Sequence, residues 1–77
     1  MSIASLIKEA RNKKGYTQDE LASIMQRPRT FVAKIEAGYT HPDYRMCLAF
    51  ADALELPVDQ VIATVEEEIV SSVLPVA

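Results

Sequence analysis

The stretch from Thr17 to Gly38, TQDELASIMQRPRTFVAKIEAG, constrains the fold most, because two short amphipathic patterns flank a turn within it. Apolar side chains recur at helical spacing in the first pattern, namely at Leu21, Ala22, Ile24 and Met25. Advancing 100° per residue from Pro28 gathers the apolar side chains of the second pattern into one stripe, made of Phe31, Val32 and Ile35. The spacing predicts two short helices that join at a turn of about three residues and pack through their apolar faces.

The side of the second helix opposite that stripe carries long hydrogen-bond donors among small side chains: Arg29, Thr30, Ala33, Lys34 and Ala37. A guanidinium or an ammonium group on such a face can reach base edges, while the alanines let the backbone lie close to the floor of a groove. The pattern therefore predicts a helix-turn-helix whose second helix enters the DNA major groove. A merely solvated face is the alternative, because exposed Arg and Lys are common on any helix.

Helix start and stop signals support these two helices. Thr17 and Glu20 have the spacing of a capping box, which begins the first of them. Pro28 fits the first turn of the next helix, where its missing amide hydrogen costs no hydrogen bond. Gly38 is suited to the left-handed conformation that ends this helix.

Three further helices are predicted around this pair. Gly15 ends the first helix of the chain, Asp43 is a good N-cap for the fourth, and Pro57 precedes the fifth. Their apolar positions recur at helical spacing: Ile3, Leu6, Ile7 and Ala10; Cys47, Phe50, Ala51 and Leu54; Val58, Val61, Ile62 and Val65. We therefore expect an all-α fold, a compact five-helix bundle in which helices 2 and 3 form the helix-turn-helix.

Charge is distributed unevenly along the chain, although the formal net charge is only −3. Residues 1–45 contain all eight basic residues and five acidic ones, whereas residues 46–77 contain six acidic residues and no basic one. The two parts thus carry +3 and −6. This division suits a cationic surface that faces phosphates and an acidic rear surface. An ordinary mixed surface is the alternative.

Several classes of function lack sequence support. With one Cys, one His and no paired-carboxylate, metal-spaced or phosphate-loop pattern, the chain is predicted to have no enzymatic activity, metal or cofactor. Cys47 is interpreted as a small buried hydrophobe, and a reactive thiol is the alternative. No apolar run approaches the length of a membrane span and no export signal is recognised, so we expect a cytoplasmic protein without a membrane or small-molecule partner.

The chain resembles the lambda-repressor-like DNA-binding domains, the XRE or Cro-like helix-turn-helix family, over roughly Ser5 to Val65. An ordered set of matching residues carries the likeness: Gln18, Ala22, Val32, Ile35, Glu36, Gly38, Pro42, Ala51, Ala53 and Leu54. Three positions depart from the family pattern. Gln26 and Glu55 stand where glycine is usual, and Arg27 replaces a small apolar residue.

The resemblance implies roles for individual residues. Base-reading positions fall on Arg29, Thr30, Ala33 and Lys34, with a phosphate as the alternative partner of Lys34 and of Thr30. Phosphate contacts are implied or suggested for Thr17, Gln18, Arg27, Tyr39, Thr40 and His41. The alternative role of Gln18 is support of the recognition helix, and the alternative for Arg27 and His41 is simple solvation. A structural ion pair between Arg11 and Glu36 is implied as well.

The predicted domains are residues 1–65, the helix-turn-helix DNA-binding domain, and residues 66–77, a C-terminal tail. Helical spacing in the tail gathers Ile69, Val70, Val73 and Leu74 on one face, which indicates an extension of the fifth helix and a dimer contact. A frayed terminus and a patch folded back on the domain are the alternatives.

We expect a sequence-specific regulator of transcription that binds double-stranded DNA, acting as a homodimeric repressor on a palindromic operator and associated with the nucleoid when bound. The alternative is a protein-interaction adaptor or an antitoxin-type module that keeps the fold.

Overall fold

A computed structural model describes residues 1–73, and these form five helices: α1 (Ile3–Lys14), α2 (Gln18–Ile24), α3 (Arg29–Glu36), α4 (Tyr44–Leu54) and α5 (Val58–Val73). The prediction of an all-α, five-helix bundle is confirmed. α2 packs against α3 and α4 against α5, while α1 packs against α3, α4 and α5. α1 is therefore a main link between the helix-turn-helix and the rest of the bundle.

The core is formed by the apolar faces that the helical spacing predicts. All four predicted residues of α1 and all four of α4 are buried, and α2, α3 and α5 add Leu21, Ala22, Val32, Ile35, Val61 and Val65. Phe31 packs against the edge of this core, and its ring stacks on that of Phe50 with centroids 5.9 Å apart and planes 11° from parallel. This aromatic pair fixes α3 against α4.

Two residues predicted to pack are exposed instead. Ile24 is 51% exposed and Val58 is 40% exposed. Ile24 is the last residue of α2 and Val58 is the first residue of α5. Helical spacing gives the direction of a side chain, but it does not show where the neighbouring element stops, so the prediction fails at these helix ends.

Helix starts follow the local signals closely. The capping box is present, with the Glu20 amide donating to Thr17 Oγ1 over 3.0 Å and the Thr17 amide donating to Glu20 Oε1 over 2.9 Å. Asp43 caps α4 by accepting from the Met46 amide over 2.8 Å. Pro28 is the extended N-cap of α3 and lies one residue before the predicted first turn.

Left-handed residues follow the C-terminal ends of four helices. Gly15 and Gly38 take φ values of 76° and 83°, as predicted, and Gln26 and Glu55 take 57° and 55°. After Gly38, the Tyr39 amide donates to the Lys34 carbonyl, and equivalent bonds close the other three turns. The backbone therefore keeps the same turn at the two positions that lack glycine, where a left-handed side chain costs about 1–2 kcal/mol.

Cys47 lies inside the bundle. It is 2% exposed, and its Sγ lies 3.8 Å from the Pro42 carbonyl oxygen. Burial, with a smaller contribution from the negative charge of Asp43, raises the pKa of the thiol. The interpretation of Cys47 as a small buried hydrophobe is confirmed.

α5 continues without a break across the predicted boundary between residues 65 and 66. Val65 is its last buried residue, and among residues 66–73 only Glu68 is partly buried while the others are exposed. The final two turns of α5 are thus helical but largely outside the core. None of the helices in residues 1–73 combines the length and the apolar character of a bilayer-spanning segment.

Candidate nucleic-acid interface

α3 has one face packed against the bundle and one face turned to solvent. Val32 and Ile35 are fully buried, whereas Arg29, Thr30 and Lys34 are exposed. The predicted base-reading residue Ala33 is half-buried between these two faces. The structure therefore places the four residues on the outer side of α3, and most of their donors point away from the core.

The outer face of α3 continues into the loop that follows it. A shallow depression of about 230 Å³ is lined by Thr30, Ala33, Lys34, Ala37 and Tyr39. Tyr39 is 84% exposed. The structure thus brings predicted base-reading residues and a predicted phosphate contact onto one surface, which we call the α3 face: residues 29, 30, 33, 34, 37 and 39.

The cations on and beside the α3 face have no acidic partners among the residues that the structure describes. Within residues 1–73, none of Arg27, Arg29 and Lys34 forms a salt bridge. The Arg27 guanidinium lies 5.8 Å from the centroid of the Phe31 ring, a cation–π contact that orients it while leaving it exposed. Arg29 and Lys34 are thus uncompensated positive charges on the exposed side of α3, and such charges attract a polyanion.

The end of α3 is fixed by a bidentate ion pair. Arg11 donates from Nε to Glu36 Oε2 over 2.7 Å and from Nη2 to Oε1 over 3.0 Å, and its Nη1 donates to the Tyr16 carbonyl over 2.8 Å. The two side chains are only 11% and 4% exposed. Hydrogen bonding to Glu36 raises the pKa of Arg11. The pair joins α1 to the C-terminal end of α3.

Gln18 also contacts Glu36. Its Nε2 donates to Glu36 Oε1 over 3.1 Å, which links the first residue of α2 to the last residue of α3. A primary amide has two N–H donors, so one remains for a phosphate. Thr17, beside it, uses its hydroxyl oxygen and its amide within the capping box and keeps its hydroxyl hydrogen as a donor.

The loop after α3 holds the other predicted phosphate contacts. Tyr39 and Thr40 are exposed. His41 is exposed as well, but its Nε2 lies 3.2 Å from Glu68 Oε2 of α5. His41 is therefore placed beside a carboxylate of α5.

Glu68 is the residue that sequence reasoning missed. Besides His41, it binds the backbone of α1, because its Oε1 accepts from the Ile3 amide. The three elements lie far apart in the sequence, so helical spacing offers no sign of the contact. One indirect signal exists: none of the first-turn residues of α1 is acidic, although a helix N-terminus favours a nearby anion.

The predicted dimer contact lies on the outer part of α5. Ile69, Val70 and Val73 are 45%, 50% and 70% exposed, respectively. Leu74, the fourth residue of that prediction, lies outside the described residues. Residues 1–73 contain no group of His, Cys, Asp and Glu side chains that could hold a metal ion.

Comparison with known proteins agrees with this geometry. The model of the helix-turn-helix family HTH_3 matches residues 7–61, so the chain belongs to that family. The fold is similar to that in a crystal structure of an HTH_3 family transcriptional regulator from Vibrio cholerae, with a TM-score of 0.69 and 24% identity. That likeness covers 91% of this chain and 39% of the Vibrio cholerae chain. No curated protein matches the chain. Family membership supports a DNA-binding regulator.

Proposed function

We propose that this protein is a sequence-specific repressor that binds double-stranded DNA as a homodimer on a palindromic operator. The observation that supports this most is the α3 face, where Arg29 and Lys34 extend outward from a helix whose opposite side is fully buried. A helix held in this way can enter the major groove without rearrangement of the bundle.

Each part of the surface has a proposed role. Arg29 reads a guanine, since its fork of donors matches the two acceptors on the guanine edge. Thr30, Ala33 and Lys34 complete the reading face. A phosphate is the alternative partner of the Lys34 ammonium group. Backbone contacts come from both sides of α3: Thr17, Gln18, Arg27, Tyr39, Thr40 and His41.

Repression follows from occupancy alone, because a bound protein blocks a promoter without a further interaction. The proposed action is cytoplasmic, on the nucleoid, and requires no catalytic activity or cofactor. The Vibrio cholerae protein carries the description of a transcriptional regulator, and this chain spans 39% of its length.

DNA binding is tested by selecting bound duplexes from a random pool and then titrating the selected duplex at several salt concentrations. The affinity should fall steeply with salt, and Lys34→Ala should reduce the slope of log K against log salt by about 1 if Lys34 meets a phosphate. Lys8→Ala, which removes an exposed cation from α1, is the matched control and should leave the slope unchanged. Failure to retain any duplex in dilute buffer would contradict the proposal and favour the protein-interaction alternative.

The homodimer is tested by sedimentation. Val70→Glu places a charge among the exposed apolar residues of α5 and should convert a dimer into a monomer. Ser71→Glu adds the same charge about 150° from the centre of that stripe and should leave the mass unchanged. A wild-type chain that remains monomeric at concentrations up to about 100-fold above its DNA Kd would contradict the homodimer.

A further inference from the structure

Glu68 is the only partly buried residue among residues 66–73, and both of its carboxylate oxygens form contacts. Oε1 accepts from the Ile3 amide at the start of α1, and Oε2 lies 3.2 Å from His41 Nε2 in the loop after α3. Glu68 follows the buried residues Val61 and Val65 by seven and three positions, so it lies on the core-facing side of α5. One carboxylate therefore joins three elements.

Both contacts of Glu68 connect α5 to elements that adjoin the C-terminal end of α3, the proposed recognition helix. His41 belongs to the short loop that leaves α3, close to Tyr39 of the α3 face. Ile3 is the first residue of α1. Arg11, near the other end of α1, binds Glu36 at the end of α3. The outer turns of α5 are thus held in a fixed direction relative to α3 by two separate routes.

The carboxylate of Glu68 also supplies a negative charge at the start of α1. No acidic residue occupies the first turn of α1, and the Ile3 amide is one of the N-terminal donors without a partner inside the helix. A negative charge at this end is favoured by the helix dipole. The contact is therefore electrostatically favourable in addition to being a hydrogen bond.

We infer that Glu68 is a positioning residue that sets the spacing between operator half-sites which the dimer accepts. This inference rests on the proposed homodimer, whose contact residues Ile69, Val70 and Val73 lie immediately beyond Glu68. In a two-fold dimer, the direction of the outer turns of α5 fixes the separation of the two α3 helices. Half-sites one helical turn of DNA apart are then bound together, and other spacings are bound less well.

The experiment measures affinity for duplexes that carry two selected half-sites at centre-to-centre separations from 8 to 13 base pairs. The wild type should prefer one separation by about tenfold over those two base pairs away, because other separations prevent simultaneous engagement. Glu68→Ala should reduce this preference to about twofold while leaving the affinity for a single half-site unchanged. Glu68→Gln should restore most of the preference, because its amide oxygen can accept from Ile3 and its amide nitrogen can donate to a ring nitrogen of His41.

Controls separate the role of Glu68 from general effects. Glu67→Ala removes the same charge from an exposed neighbouring position and should keep the wild-type preference. If Glu68→Ala unfolds the chain, His41→Ala removes one route only and should weaken the preference partly. Because the readout is a ratio between spacings, a uniform loss of affinity in the His41 variant cancels.

The outcomes distinguish this inference from the proposed function. A dimer whose spacing preference is the same in the wild type, Glu68→Ala and His41→Ala would overturn the role of Glu68 and leave the repressor proposal intact. A monomeric wild type would overturn both the homodimer and the role of Glu68, whereas a dimeric wild type that binds every spacing equally would overturn the role of Glu68 alone.

Discussion

The two ends of this molecule are fixed in different ways. α3 is held by two fully buried side chains, by an aromatic stack on α4 and by an ion pair to α1. The outer turns of α5, beyond Val65, are held mainly through Glu68. A change in the support of α3 should therefore reduce the stability of the whole fold, whereas a change at Glu68 should mainly alter the direction of one segment.

The largest loss of stability is expected when the ion pair between Arg11 and Glu36 is broken. Arg11→Ala leaves the carboxylate of Glu36 buried without its cation, which should reduce the free energy of unfolding by about 3 kcal/mol. Glu68→Ala, at the other end of the molecule, should cost about 1 kcal/mol because its carboxylate is more exposed. Urea unfolding measures both values.

Lys13→Ala is the control for the ion pair, because Lys13 is an exposed cation of the same helix. It should change the free energy of unfolding by no more than about 0.5 kcal/mol. Equal losses for Arg11→Ala and Glu68→Ala would contradict the contrast between the two regions.

The face of α3 should respond in specificity and not in stability. Arg29→Ala is expected to lose about 2 kcal/mol of discrimination at one base position, because it removes the bidentate contact to guanine that we propose. Its unfolding curve should match that of the wild type, since Arg29 is exposed and forms no salt bridge within residues 1–73. Selection from a random pool measures the preference, and unchanged preference at every position would exclude Arg29 from base reading.

A glycine in the turn between α2 and α3 is expected to stabilise the fold. Gln26 has a φ of 57°, so Gln26→Gly should stabilise the fold by about 0.5–1 kcal/mol after the larger unfolded-state entropy of glycine is subtracted. Gln26→Ala retains the strained conformation and should give no such gain. A loss of stability in the glycine variant would show that the side chain of Gln26 contributes more than its backbone conformation costs.

The smallest change in stability is expected for substitution of Glu55, which lies on the surface. A hydrogen bond from Lys14 lowers the pKa of this carboxyl, so the contact stabilises the fold above the ordinary pKa of 4.5 and is lost as the pH falls through the lower folded value. Glu55→Gln should therefore melt slightly below the wild type at neutral pH and together with it in strong acid. Asp52→Asn is the control with the same charge change on α4, and a gap between Glu55→Gln and wild type that widens in acid would reverse the assigned sign.

Local signals predicted the helices and most of the core. The capping box at Thr17, the cap at Asp43 and the glycines at positions 15 and 38 act through neighbours in the sequence, and the structure contains all of them. Helical spacing identified the buried faces because it fixes side-chain direction within a helix. It failed at Ile24 and Val58, where burial depends on the length of a neighbouring element.

The site could be predicted only in part. The angular position of Arg29 and Lys34 follows from the sequence, and the structure turns both to solvent. The contacts of Glu68 with Ile3 and His41 span 65 and 27 residues, so they depend on how three elements meet in space. The contact of Gln18 with Glu36 likewise requires the angle between α2 and α3, which no local pattern gives.

The central claim is that the α3 face is the surface that meets DNA. Its most direct test follows backbone amide signals by NMR while a duplex with one selected half-site is added to the labelled protein. We predict that the largest shifts fall in residues 27–41 and at the start of α2, with residues 66–73 little changed. Shifts confined to α4 and α5, or none in α3 at saturation, would contradict the claim.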